Sequence, residues 1–377
     1  MMRFVFYTHS LLSDWNHGNA HFLRGIMREL VSRGHEALAL EPAGGWSRSN
    51  LTAQHGTGAI ERFAAVFPEL LSICYGETFD HEARLSEADV VIVHEWTDPR
   101  LVAEIGSVRR RGGRFTLLFH DTHHRAVSQA ASISALALEG YDGILAFGET
   151  LRERYLSAGW GKNVHTWHEA ADARLFRPLP EIEAETDLVW VGNWGDDERT
   201  KEIRQYLMEP VRRLGLSATV HGVRYPPDAL SALAGAGIDY RGWVANADVP
   251  EVFARHRATV HIPRRPYVEQ LPGIPTIRMF EALACGIPLV SAPWDDAEGL
   301  FRPGTDFLFA RSGDHMTRLL RLVLHDRDAA AALSAAGLET IAARHTCAHR
   351  VDELLGILGM DSGAGAAGNF ERKEAAE

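Results

Sequence analysis

The chain predicts an α/β protein built as two doubly wound, Rossmann-like units facing a central cleft. Short apolar runs of the kind buried in parallel strands alternate with helical apolar patterns through both halves. The alternation stops at residues 176–187, where two prolines and an acidic run intervene, and then starts again. At 377 residues the chain exceeds one ordinary core, so the two series read as two domains.

In the first series Arg3 to Thr8 reads as a strand and residues 9–19 as a polar loop rich in His, Asn and Gly. Ala20 to Ser32 reads as a helix, because Phe22, Leu23, Ile26, Met27 and Leu30 recur on one side and Gly34 ends it. Strands follow at His35 to Leu40, Val90 to Val93, Phe115 to Phe119, Gly143 to Phe147 and His165 to Trp167. The second series places strands at Leu188 to Val191, Ser217 to His221, Tyr240 to Trp243, Thr259 to Ile262, Pro288 to Ser291 and Asp306 to Phe309. Two helices, at 313–336 and 338–358, close it. The resulting division is a first unit at 1–178, a second at 187–340, a C-terminal helix within 341–360 packing back towards the first unit, and a disordered Gly, Ala and charge-rich tail at 361–377. Ligand binding is expected in the crevice at the carboxyl ends of the strands, with closure about the 176–187 linker.

A net charge of −11 argues against nucleic acid as a partner and against attraction to anionic lipid. Cys74, Cys285 and Cys347 are scattered, odd in number and form no CxxC pair, which suits a reducing compartment. The chain enters its first strand without an apolar leader, and no run reaches the roughly 18 apolar residues of a membrane span. A cytoplasmic protein without a transmembrane segment is expected. Lysine occurs only at Lys162, Lys201 and Lys373, which draws attention to Lys201.

Residues 272–290 are the most informative stretch. Gly273 and Pro275 punctuate a loop, with Pro275 suited to a first helical position. Ile277, Met279, Phe280, Leu283 and Ala284 give the helix its apolar face; Gly286 caps it, and a strand follows. The loop Gly273, Ile274, Pro275 and Thr276, with the free amides of the helix start it leads into, forms an anion site. Glu281, about a turn further along, is placed to accept hydrogen bonds from sugar hydroxyls. A nucleotide-sugar, diphosphate on the amides and ribose on the carboxylate, would be held in this way.

Other strand ends add candidates. Gly192 and Asn193 turn the chain after Leu188 to Val191, with Arg199 or Lys201 available to neutralise a diphosphate without metal. Gly18 lets a second helix start meet the crevice from the opposite unit, and His17 or His21 beside it is a candidate general base. His120 ends a buried strand facing the same crevice, where it would contact donor sugar hydroxyls. A competing reading makes His120, Asp121, His123 and His124 a metal-dependent hydrolase cluster, although the spacing is not HExxH. His94 and Glu95 sit at another strand end with structural and functional roles equally open. Glu269, Asp295, Asp296 and Glu298 lie on loops near Gly273, and any of them could orient a sugar.

The order of these motifs resembles the GT-B fold glycosyltransferases of group 1, and most of all the branch called spore maturation protein CgeB-like, over about residues 3–355. The run Ile277-Arg278-Met279-Phe280-Glu281-Ala282-Leu283-Ala284-Cys285-Gly286 is similar to that branch's R-x-F-E-A-x-A-C-G run. Val191-Gly192-Asn193 is similar to its G-N strand end, and Arg241-Gly242-Trp243 before Asp248-Val249-Pro250 to its base-receiving segment. Trp15 to Phe22, Leu118 to Asp121, and Asp172 to Pro178 resemble its N-terminal elements more loosely. The resemblance implies two Rossmann-like units in GT-B arrangement and sugar transfer from a nucleotide-sugar, UDP- or dTDP-linked, to a glycan, small-molecule or protein acceptor. It implies no metal and no cofactor beyond that co-substrate. It also implies that Glu281 binds ribose, that the Gly273–Thr276 loop binds diphosphate, that Gly242 and Trp243 flank the base, and that His120 lies by the transferred sugar. One departure stands out: many retaining members carry an earlier glutamate where this chain has Gly273. The stereochemical outcome therefore stays open, with His21 or His17 the base if it is inverting. A non-catalytic relative that binds nucleotide or glycan, and a nucleotide-sugar epimerase, are the remaining alternatives.

Overall fold

The computed structural model describes residues 1–360, so the expected tail at 361–377 lies outside the described residues. The first half forms β1 (Arg3–Tyr7), β2 (Glu36–Pro42), β3 (Leu71–Tyr75), β4 (Val90–His94), β5 (Thr116–Asp121), β6 (Gly143–Ala146) and β7 (Val164–Thr166). The second half forms β8 (Thr186–Val191), β9 (Ala218–His221), β10 (Ile238–Gly242), β11 (His256–His261), β12 (Leu289–Ser291) and β13 (Leu308–Phe309). These make a seven-stranded sheet in the order β3-β2-β1-β4-β5-β6-β7 and a six-stranded sheet in the order β10-β9-β8-β11-β12-β13. The ladders are parallel throughout, for example Phe4 opposite Ala37 and Val90, and Val189 opposite Thr219 and Thr259.

Alternation along the strands divides the first unit's core in two. Phe4, Phe6, Val90, Ile92, Leu118 and Leu145 face one way, onto the helix Ala20–Ser32. Val5, Tyr7, Val91, Val93, Leu117 and Phe119 face the other way, onto the helix Pro99–Arg110. The first of these cores runs on into the second half, taking in Val189, Ile277, Met279, Phe280 and Leu283.

Three local expectations differ from the structure. β3 has no strong sequence signal because it is an edge strand: Leu71 is 63% exposed and its other residues are half-buried. The two closing helices are three: Gly313–His325, Arg327–Arg344 and Cys347–Ile357. Asp326 restarts the chain by accepting the Ala329 N–H at 2.9 Å, and Thr346 with His349 forms a capping box. Gly337, which reads as a break, lies inside the middle helix, where Leu283 would come within 2.8 Å of a Cβ.

The helix Cys347–Ile357 sits on the first unit. Trp167 Nε1 donates to the Arg350 carbonyl at 2.8 Å, and Arg350 Nε donates to the His168 carbonyl at 3.0 Å. Just before it the returning chain pairs with Ala171, whose N–H donates to His345 O and whose carbonyl accepts from Cys347 N–H, both at 2.9 Å. Gly25, inside Ala20–Ser32, permits the close approach: a Cβ there would stand 2.4 Å from Cys347 Sγ. Gly25→Ala is therefore expected to destabilise the fold by about 1–3 kcal/mol despite alanine's better helix propensity, and Cys347→Ala to recover much of that loss. Urea unfolding of the single and double variants checks this.

Candidate functional site

A parallel sheet presents all its carboxyl ends on one edge, and a crevice opens where neighbouring connections depart to opposite faces. That point lies between β1 and β4 in the first sheet and between β8 and β11 in the second. Loops from all four strands line one cavity of about 560 Å³ between the sheets, contributed by His9 and His17, His94 and Trp96, Gly192 and Asn193, and Ile262 and Arg264.

Two helix starts meet there. Thr276, Ile277 and Arg278 line the cavity at the start of the helix Ile277–Cys285, and Gly18 and Asn19 line it at the start of Ala20–Ser32. Neither N-cap side chain bonds its own helix. Thr276 Oγ1 instead lies 3.0 Å from His261 Nε2, and Asn19 Nδ2 donates to Glu169 Oε1 at 3.1 Å. Gly18 brings the two ends together, since a Cβ there would already be 3.3 Å from Ile277 Cγ2. Turn bonds engage the first amides of Ala20–Ser32, Ala20 N–H to His17 O at 3.2 Å and His21 N–H to Gly18 O at 3.4 Å, but both starts aim aligned peptide dipoles at one space, an arrangement that favours an anion.

The charges agree. Arg199 donates to Ile262 O at 3.0 Å and Asn193 O at 2.5 Å, while its buried Nε has no partner among the described residues. Burial and then Arg264 lower its pKa to about 9, so it stays cationic at neutral pH. Arg264 bonds Glu198 at 2.7 Å, and contact with His124 and Arg264 holds that carboxylate down at about 2. Burial lowers His261 to about 3 and His221 to about 4, and pushes His17, His94 and His123 well below the ordinary histidine value. These rings are neutral near pH 7. His17 Nε2, His94 Nδ1, His123 Nδ1 and His221 Nδ1 are buried without hydrogen-bond partners among the described residues, which marks the cavity as one for a polar ligand.

Of the residues singled out in the sequence, His17, Gly18, Gly192, Asn193, Arg199, Trp243 and Thr276 line the cavity. Lys201 does not: it is exposed in a surface depression with Thr200 and Arg204, because two residues of helix turn it away from Arg199. His120 shares the strand face of Leu118 and lies behind His94, against Trp167 at 4.9 Å and Phe22 at 6.0 Å. His21 Nε2 accepts the Asp172 N–H at 2.9 Å and is not free to act as a base. Pro275 precedes the helix instead of opening it, since Thr276 is the N-cap, and Ile274 and Pro275 are buried. Gly242 ends β10 and uses its carbonyl to accept the Gly222 N–H at 2.8 Å.

Gly273 has φ +87°, and its N–H donates to Asp295 O at 2.7 Å. Glu298 fills the space beside it, with Cγ 2.6 Å from where a Cβ would stand. Glu298 in turn accepts from Glu149 N–H at 2.8 Å and lies 2.7 Å from His168 Nε2. Glu281 is fully buried: Oε1 accepts from Asn246 Nδ2 at 2.8 Å and lies 3.3 Å from His21 Nδ1, and Oε2 accepts from Arg278. Burial alone would raise its pKa, but Arg278, His21 and Asn246 hold it below the ordinary value.

The His120–His124 cluster is divided by strand alternation. His120 faces Trp167, whereas Asp121 faces the other core and accepts from Tyr155 OH at 2.7 Å. Among the described residues no group of three or more His, Cys, Asp or Glu side chains is arranged to hold a metal ion.

Sequence reasoning did not single out Asp14, Glu169, Arg264 or His261. Asp14 is a junction: Oδ1 accepts from Trp243 Nε1 at 3.0 Å, and Oδ2 from Arg24 Nη1 at 2.8 Å and Asn246 N–H at 3.1 Å. Its partners come from both halves, and no local spacing announces that.

Residues 199–356 match the family described as Glycosyl transferase-like. No curated protein matches the chain in sequence. Anabaena HepE, solved in complex with UDP and glucose, is 15% identical with a TM-score of 0.66 over 95% of this chain and 100% of that one. Sucrose-phosphate synthase from Thermosynechococcus elongatus is 12% identical with a TM-score of 0.64 over 95% and 98%. An alpha-glucosyltransferase in complex with UDP is 10% identical with a TM-score of 0.67 over 95% and 100%. The fold is that of the GT-B glycosyltransferases.

Asp14→Ala leaves the buried Arg24 guanidinium without its counter-ion and two donors of the second half unpaired. A loss of about 3 kcal/mol in unfolding free energy is expected, measured by thermal or denaturant unfolding.

Proposed function

We propose that this chain is a glycosyltransferase that moves a sugar from a nucleotide-sugar donor to an acceptor hydroxyl. The observation that carries this reading is the single cavity at both switch points, into which two uncapped helix starts and Arg199, Arg264 and Arg278 converge. These groups neutralise the charge that grows on the departing diphosphate, and they do so in a site already organised for it. The unit at 187–340 holds the donor and the unit at 1–178 the acceptor. The base lies by Gly222, Arg224, Trp243 and Val244, which line the same cavity. UDP- and dTDP-linked donors both suit the reading, and the UDP complexes of HepE and the alpha-glucosyltransferase support the former. Another complex of the alpha-glucosyltransferase holds a 13-mer DNA; the net charge of −11 here favours a glycan, small-molecule or protein acceptor instead. The CgeB-like branch and a cytoplasmic setting complete the proposal, the latter supported by three free cysteines.

Within that reading, His17 is the base of an inverting path. Its Nε2 is unpaired and its ring lines the cavity, which places it to take the acceptor's hydroxyl proton as the bond from the sugar to the diphosphate breaks. On a retaining path the arginines and helix starts act alone. Ribose reaches Glu281 once Asn246 and Arg278 turn aside, which links donor entry to the Asp14 junction.

A thermal-shift panel of nucleoside diphosphates and their sugar forms tests the reading directly: at least one is expected to raise Tm, and none doing so would refute it. Arg278→Ala and Glu281→Ala are each expected to weaken binding of that nucleotide about tenfold or more, read by calorimetry.

A further inference from the structure

Glu169 is a carboxyl group in the cavity that the donor reading leaves without a task. It follows β7, lines the cavity with Asn19 and Arg278, and is 6% exposed. Its Oε1 accepts from Asn19 Nδ2 at 3.1 Å, and Oε2 has no hydrogen-bond partner among the described residues. Asn19 precedes one of the two helix starts, with its side chain turned to Glu169, and Arg278 belongs to the other, so Glu169 stands where the two meet. Position 273 offers no such group. Glu298 occupies the space beside Gly273 and is already engaged by Glu149 and His168.

We propose that Glu169 receives the hydroxyls of the transferred sugar. This rests on the donor reading above: a diphosphate lodged between the two helix starts sets its sugar beside Glu169. A carboxylate anion in that place would repel the diphosphate. Burial, with Glu281 adding to it against Asn19 and Arg278, pushes the Glu169 pKa up to about 8. At pH 7 it is a neutral acid, able both to donate to a hydroxyl and to accept from one. The other titratable neighbours are Arg278 and Glu281 on Ile277–Cys285, and Tyr267, whose phenol burial keeps protonated.

The test compares UDP with UDP-glucose on the wild-type protein and on Glu169→Gln, which keeps an acceptor for Asn19; thermal unfolding confirms that the variant is folded. In the variant, UDP is expected to bind within about twofold of wild type and UDP-glucose about tenfold more weakly. In the wild type, the Kd for UDP-glucose rises as pH passes 8 and Glu169 ionises; in the variant it stays flat. Equal weakening of UDP and UDP-glucose, unchanged UDP-glucose binding, or an unaltered pH profile would each overturn the assignment. A wild-type protein that binds neither ligand, or any of the panel, overturns the donor reading itself and this inference with it.

Discussion

The site depends on one close approach: Gly18, in the turn just ahead of Ala20–Ser32, against Ile277, the first residue of a helix from the other half of the chain. Parallel sheets point their carboxyl ends at the cleft, and each following helix begins there, so the dipoles of both helices are aimed into the same space. A Cβ at position 18 would press on Ile277 Cγ2 at 3.3 Å, and a larger side chain would crowd the junction further. With hydrogen there, the two starts share one anion site that neither unit holds alone. The arginines stand around that site, and the buried neutral histidines make its remaining wall polar without adding charge.

Most of the architecture was legible because parallel buried strands announce themselves. Val90 to Val93 is apolar on both faces, and Ala20–Ser32 shows its stripe through Phe22, Ile26 and Leu30. The edge strand Leu71–Tyr75 was not legible, since exposure on one side removes the continuous apolar run. The site was half legible. Glycines and strand ends mark where backbone meets ligand, and Gly18, Gly192 and Thr276 do line the cavity. Side-chain direction was the weaker inference. His120 and Asp121 are neighbours in sequence and occupy opposite faces of a sheet, while Arg199 and Lys201 are two residues apart and leave their helix on different sides. Asp14 and Glu169 were invisible for a different reason: the contacts that bring them to the site, Asp14 with Trp243 and Asn246 and Glu169 with Asn19, span more than a hundred residues.

Gly273 shows how a departure from a family pattern becomes intelligible in three dimensions. Its left-handed backbone and the packing of Glu298 make glycine the residue the position admits. A carboxylate is still present in the neighbourhood, but it ties the second half to Glu149 and His168 of the first. Glu169, an acidic group that does line the cavity, comes from the other unit entirely, on the loop after β7.

The helix Cys347–Ile357 belongs to the first unit's core although the whole second half precedes it in the chain. During synthesis the N-terminal sheet must therefore wait with the groove beside Trp167 and Gly25 uncovered until the second half and then this helix have emerged. Its maturation is tied to translation of the other unit, and a product cut short before that helix would carry a greasy groove that invites chaperones and proteases.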